Sequence, residues 1–143
     1  MNKPAAPSVN FSAFVPLVAD DDATVRALVA KMLLNMGFKT VLQAASGADT
    51  VKEIQRQQPD IVICDVEMPP SSGLEVLKAL RKSGSAYART LPFIFLTAHT
   101  EQEVLNGARE WGANAFLVKP VKPDTLAERV GRLLAGVAPR KQI

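Results

Sequence analysis

Short apolar runs alternate along this chain with longer stretches in which apolar positions recur every three or four residues. Val15 to Ala19 is the first run, and Pro16 is tolerable near a strand's start. Residues 23–36 then place Val25, Leu28, Val29, Met32, Leu33 and Met36 on one helical stripe, with Gly37 as a C-terminal stop. Lys39 to Ala44 reads as a second strand. Gly47 to Gln57 reads as a helix, capped by Ser46, with Val51 and Ile54 inward. The run Ile61-Val62-Ile63-Cys64 is cut off by Asp65 and Pro69, as a buried strand ending at a turn would be. Ser72-Gly73-Leu74-Glu75 has capping-box spacing and opens a helix burying Leu74, Leu77 and Leu80. Ser83 to Thr90 is expected as a loop, and Pro92 to Thr97 as a fourth strand. Thr100 to Glu103 is a second capping box, for a helix reaching about Trp111. Asn114 to Val118 is a fifth strand. Pro123 sits in the first turn of a last helix with Leu126, Val130, Leu133 and Leu134 inward.

Five β/α units follow from this alternation. The strands are near-continuous apolar runs, so helices should cover both faces of a parallel sheet. Right-handed crossovers then give an α/β doubly wound three-layer sandwich. Residues 14–135 make the domain. Residues 1–13 and 136–143, with their Pro, Ala and polar positions, are expected as mobile tails. With 143 residues, one domain with a sizeable core is expected and no second.

Composition narrows the function classes. Lys and Arg exceed Asp and Glu by 17 to 14, yet they are scattered over polar helix faces, so solvated surface is preferred to a nucleic-acid patch. Cys64 is the single cysteine, which rules out an internal disulfide and fits a reducing, cytoplasmic setting. No run approaches the ~18 apolar residues of a membrane span, and Met1 to Pro7 lacks a signal peptide's apolar region.

The strand ends carry the candidate chemistry, because ligands of open parallel sheets bind beyond the strands' carboxyl ends. Those ends hold Asp20-Asp21-Asp22, Asp65, Thr97-Ala98 and Lys119-Pro120. If their strands are neighbours, three carboxylates share one crevice. At ~5 Å and an effective dielectric of ~20, each pair repels by on the order of 3 kcal/mol. Lys119 supplies one compensating cation, and a hard divalent ion with oxygen ligands would supply the rest. A hydroxyl, a lysine and such an ion together suit a phosphoryl group.

Leu17-Val18-Ala19-Asp20-Asp21-Asp22, Asp65-Val66-Glu67-Met68-Pro69 with Gly73, Thr97-Ala98 and Lys119-Pro120, in this order, resemble the response-regulator receiver domain of two-component signalling, in particular the stand-alone chemotaxis type. The resemblance covers about residues 14–135 and implies a flavodoxin-like five-stranded parallel sheet of order 2-1-3-4-5. It implies Asp65 as phosphoacceptor, fed by a histidine kinase or a histidine phosphotransfer protein. It implies Mg²⁺ (or Mn²⁺) on Asp21 directly, on Asp20 largely through water, on Asp65 and on the Glu67 backbone carbonyl. Thr97 takes the place of the switch hydroxyl, beside the Ala98 amide. Lys119 takes that of the phosphate-binding ammonium, on a cis bond to Pro120. Phe116 matches the aromatic switch position, where the family more often has tyrosine, so here the hydroxyl is missing. Output would pass to a downstream protein through the face of the fourth helix, fifth strand and fifth helix, from a monomer or a weak phosphorylation-dependent dimer. No membrane or nucleic-acid partner is implied. No output domain is evident, so a binding partner, a relay role or a truncated chain is expected.

Plainer readings stand beside these roles. Asp22 is read as a helix cap before a third metal ligand. Cys64 is read as a buried inert thiol. Trp111 is read as packing under its helix before serving as an exposed partner anchor, and Phe116 has core filling as its alternative. His99 either borders the site or is an exposed loop residue, and the Glu67 side chain is either a ligand or solvated. Two rival classes remain: a small hydrolase of the aspartyl-phosphate type, which wants an Asp where Glu67 stands, and a degenerate receiver that binds without phosphorylation.

Overall fold

The structure is a computed structural model describing residues 9–98 and 102–140. Five strands form one parallel sheet: β1 (Pro16–Ala19), β2 (Leu42–Ala44), β3 (Ile61–Asp65), β6 (Phe93–Thr97) and β7 (Ala115–Val118), in the order β2-β1-β3-β6-β7. That is 2-1-3-4-5 among the five main strands. Two further two-residue strands, β4 (Glu67–Met68) and β5 (Ser71–Ser72), form an antiparallel ladder directly after β3.

The helices α1 (Ala23–Met36), α2 (Gly47–Gln57), α3 (Gly73–Arg81), α4 (Ala86–Thr90), α5 (Gln102–Glu110) and α6 (Pro123–Leu134) complete the sandwich. Side chains alternate across each strand, so one sheet face carries Val18, Ile63, Ile94, Leu96 and Leu117. Val29 and Leu33 of α1, with Leu126, Val130 and Leu134 of α6, cover it. The other face carries Leu17, Val62, Cys64, Phe93 and Phe95, under Ile54, Val76, Leu77, Leu80 and Ala108 from α2, α3 and α5. Each such buried side chain is worth roughly 1.5–3 kcal/mol relative to exposure, which holds the strand ends in register.

Caps set the helix starts. Asp22 accepts from the Thr24 and Val25 amides at 2.9 and 3.2 Å, Ser46 from Asp49, and Ser72 from Glu75. Gly37 closes α1 in the left-handed region, at φ 119°, where an L side chain is strained. The second capping box begins at Thr100 and Glu101, which lie outside the described residues.

The fold departs from the periodicity at several places. Leu28, expected inward, is 53% exposed, and Ala30 is buried in its stead. The second strand begins at Leu42 rather than Lys39. Extending its register would set Val41 beside Pro16, which has no N–H to give. Residues 86–90 are helical, not a loop: Ser85 accepts from the Ala88 amide and Ala88 is buried, a pattern too short for periodicity to reveal. Leu74 and Leu133 are only partly buried. Residues 9–13 and 136–140, expected within the tails, lie against the domain. Phe11–Ala13 is a turn of 3₁₀ helix whose Phe11 ring lies 4.9 Å from that of Phe38. At the other end the Arg140 amide donates to Asp60 Oδ1 at 2.7 Å. Apolar side chains at one end and a buried carboxylate at the other draw residues 9–13 and 136–140 onto the domain.

Candidate functional site

Strand order brings four of the five carboxyl ends to one crevice. The ladder pairs Ala19 with Cys64, Asp65 with Leu96 and Thr97 with Val118, so Asp20, Asp65, Thr97 and Lys119 follow from neighbouring strands. Asp20, Asp65 and Thr97 are buried, and Asp21 is exposed at the rim. Carboxylate oxygens of Asp20, Asp21 and Asp65 lie within 4.8 Å of one another. The Lys119 ammonium sits between two of them, 3.0 Å from Asp20 Oδ2 and 3.2 Å from Asp65 Oδ2. Its own amide donates to the Thr97 carbonyl at 2.8 Å, and the Lys119–Pro120 bond is cis, as expected.

Asp20 is held on every side. Its amide donates to Ala44, its Oδ1 accepts from the Asp22 amide at 2.9 Å, and its carbonyl accepts from Arg26 Nη1 at 2.7 Å. Its buried Oδ2 has no well-aligned hydrogen bond; the Lys119 contact is an ion pair. Asp65 Oδ1 accepts from the Glu67 amide at 3.4 Å.

The electrostatics follow from this crowding. Burial first, and the Asp20 charge next, push the Asp65 carboxyl above its ordinary value, while Lys119 and the Glu67 amide pull it back. For Lys119, burial works against the ammonium, but the close ion pairs with Asp20 and Asp65 outweigh it and the pKa is raised. Burial, with the Asp65 and Asp20 charges, pushes the Cys64 thiol well up, so the thiol stays protonated, fully buried against the Asp65 carbonyl. The carboxylate set is all-oxygen and includes a buried oxygen lacking a hydrogen bond. It fits a hard divalent cation.

The remaining sequence-derived residues fall as follows. Ala98 is exposed just past β6, and the Glu67 side chain is exposed at the start of β4. Phe116 is half-buried on β7, stacked on Phe95 at 6.1 Å between ring centres, with the Arg109 guanidinium 5.8 Å from its ring centre. Trp111 lies just beyond α5, packed on the core, with Lys78 and Lys82 over its ring. Asp22 caps α1. His99 lies outside the described residues.

Two residues support the site in ways that were not read from the sequence. A Cβ at Gly73 would fall inside contact distance of the Asp65 carbonyl oxygen and 2.8 Å from the Phe95 ring, so glycine is required for α3 to start there. Arg26 grips the Asp20 carbonyl; its place one turn into the helix that follows the acidic residues was the available signal. A second cis bond, Pro69–Pro70, joins β4 to β5.

A doubly wound parallel sheet whose strand ends converge three aspartates, a threonine and a lysine defines the receiver class of two-component signalling. The response regulator receiver domain model matches residues 17–131, and the chain belongs to that family. It is 35% identical over 117 residues to the transcriptional regulatory protein PdtaR of Mycobacterium tuberculosis, covering 80% of this chain and 55% of PdtaR. It is 34% identical over 114 residues to the CAI-1 autoinducer sensor kinase/phosphatase CqsS of Vibrio cholerae, covering 80% of this chain and 16% of CqsS. Its backbone matches the chemotaxis response regulator CheY4 of Vibrio cholerae with a TM-score of 0.76 and 32% identity, over 85% of this chain and 98% of that one. The chain therefore spans about half the length of PdtaR and a small part of CqsS.

Proposed function

We propose that the chain is a phosphorylation switch in which Asp65 accepts a phosphoryl group from a phosphohistidine of a histidine kinase or histidine phosphotransfer protein. An Asp65 oxygen attacks phosphorus, the phosphorus–nitrogen bond breaks, and the leaving imidazole takes up a proton. Asp20, Asp21, Asp65 and the Glu67 backbone carbonyl would hold Mg²⁺ or Mn²⁺, which when bound supplies charge neutralisation at the transferring group. The Lys119 ammonium, the Thr97 hydroxyl and the Ala98 amide receive the phosphoryl oxygens. The observation that carries this reading is Lys119 bridging two buried aspartates at 3.0 and 3.2 Å, with Asp21 beside them.

Phosphorylation takes Asp65 from −1 to near −2 and adds acceptor oxygens. Lys119 contacts Asp65 and Thr97 ends the neighbouring strand, and both lead to β7: Thr97 pairs with Val118, and Lys119 follows it. The change then biases the face of α5, β7 and α6 between two states, where Phe116 and the 53%-exposed Val118 lie, and a downstream protein reads it. A cytoplasmic site of action and a monomeric or weakly dimeric state accompany this reading. Among the described residues no helix is long and apolar enough to cross a membrane.

Purified protein incubated with acetyl phosphate and Mg²⁺ should gain one phosphoryl unit by intact mass, and none with a chelator present. Steady release of phosphate from esters would instead favour the hydrolase. No gain at saturating Mg²⁺ would favour the phosphorylation-independent binding module.

A further inference from the structure

We infer that Arg26 is a positioning residue for the metal site, setting the place of Asp21 by gripping the peptide unit that links Asp20 to Asp21. Arg26 Nη1 donates to the Asp20 carbonyl at 2.7 Å, and Nε donates to Gln43 Oε1 at 3.3 Å. One guanidinium thus ties the acidic loop after β1 to the edge strand β2. The rigid fork of the guanidinium holds both acceptors in a fixed geometry, which a compact ammonium on a flexible stem does not.

The peptide matters because Asp20 and Asp21 are placed differently. Asp20 is buried and fixed through its amide, its Oδ1 and Lys119. Asp21 is exposed, and its direction depends on the peptides flanking it. The peptide after it is fixed by the Asp22 amide donating to Asp20 Oδ1 at 2.9 Å. The peptide before it is fixed by Arg26. Groups that orient ligands from behind typically change metal affinity by about 10–100-fold when removed.

Charge and position oppose each other here, which makes the inference testable. Arg26 carries a positive charge near three carboxylates, so its removal should by charge alone tighten cation binding. If Arg26 acts by position, removal should weaken binding. Mn²⁺ binding to the full chain, read from the free-ion electron paramagnetic resonance signal, separates the two. Arg26→Gln should bind Mn²⁺ about tenfold more weakly. Arg26→Lys, which keeps the charge, should also weaken it, and Gln43→Ala should do so less. Phosphorylation of Arg26→Gln by acetyl phosphate should return to within about twofold of the parent at saturating Mg²⁺, since affinity and not chemistry is affected. Unchanged or tighter Mn²⁺ binding in Arg26→Gln would overturn the inference. If that variant does not fold, unchanged affinity in both Arg26→Lys and Gln43→Ala would do the same. The inference rests on the metal-binding part of the proposed function. Weaker Mn²⁺ binding in the variants without any phosphorylation of the parent would leave it standing while removing the switch reading.

Discussion

Asp65 and Lys119 are tied by opposite demands. Folding brings the Asp65 carboxyl out of water beside Asp20, and its pKa rises above the unfolded value. A carboxyl raised by folding favours the native state while protonated, and that contribution is lost as pH climbs through the folded value. In metal-free protein, urea unfolding should therefore show parental stability falling relative to Asp65→Asn as pH rises from about 4 towards neutrality. Added Mg²⁺ should restore the parent and leave the variant nearly unchanged. Parallel profiles for the two proteins would refute the repulsion. Removing Lys119 leaves the buried Asp20 Oδ2 without its ion pair. Lys119→Met should cost about 2–3 kcal/mol in chemical denaturation, less than a wholly buried pair because the lysine side chain is 20% exposed. At this scale the sequence was most informative. Asp20, Asp21, Asp65, Thr97 and Lys119 each sit at a strand end, and a doubly wound sheet brings strand ends together whatever the details of packing. Arg26 was less legible because its target is a backbone carbonyl, and only its place one turn into the helix after the acidic residues marked it.

At the scale of the element, α1, α2 and α3 begin where their caps said they would, and α1 ends at Gly37. Ser46, Ser72 and Asp22 each satisfy amides that the first turn leaves open. Asp22→Ala should cost about 1 kcal/mol by thermal or urea unfolding, with Mg²⁺ binding kept, because Asp22 caps and does not belong to the carboxylate cluster. A loss of metal affinity beyond twofold would mark it as a ligand after all. Gly73 is the sharper case, since α3 starts against the Asp65 carbonyl itself. Gly73→Ala should destabilise by about 2–3 kcal/mol and slow phosphorylation, because the backbone of Asp65 or the Phe95 ring must give way. Normal stability in that variant would contradict the close approach. Leu28 and the short α4 were misread for opposite reasons. An apolar residue at a helical spacing is not thereby buried, and a five-residue helix is shorter than the window periodicity needs.

For the whole molecule, the sheet has two ends with separate duties. The carboxyl end gathers Asp20, Asp21 and Asp65 around the Lys119 ammonium. At the amino end Asp60, also buried, accepts from the Val15 amide through Oδ2 and from the Arg140 amide through Oδ1, both at 2.7 Å. Tyr87 donates to the Pro59 carbonyl at 2.5 Å with the Arg140 guanidinium 4.4 Å from its ring centre. Asp60→Ala should cost about 2–4 kcal/mol, since two amides lose a charged acceptor, yet leave acetyl phosphate reactivity within twofold once folded. A large loss of reactivity would mean the two ends are coupled. The strand order follows from the alternation only with the family resemblance added, because periodicity says which segments are strands and not which are neighbours. The packing of residues 136–140 was illegible for a related reason: a proline-containing tail gives no sign that a carboxylate 80 positions away will bind it.

The central claim is that Asp65 itself carries the phosphoryl group. Borohydride reduction converts an aspartyl phosphate to homoserine, which peptide mass mapping locates to a single residue. After treatment with acetyl phosphate and Mg²⁺, homoserine should appear at position 65 of the parent and nowhere in Asp65→Asn. Homoserine at another aspartate, or none in a protein that binds Mg²⁺ and is folded, would contradict the account.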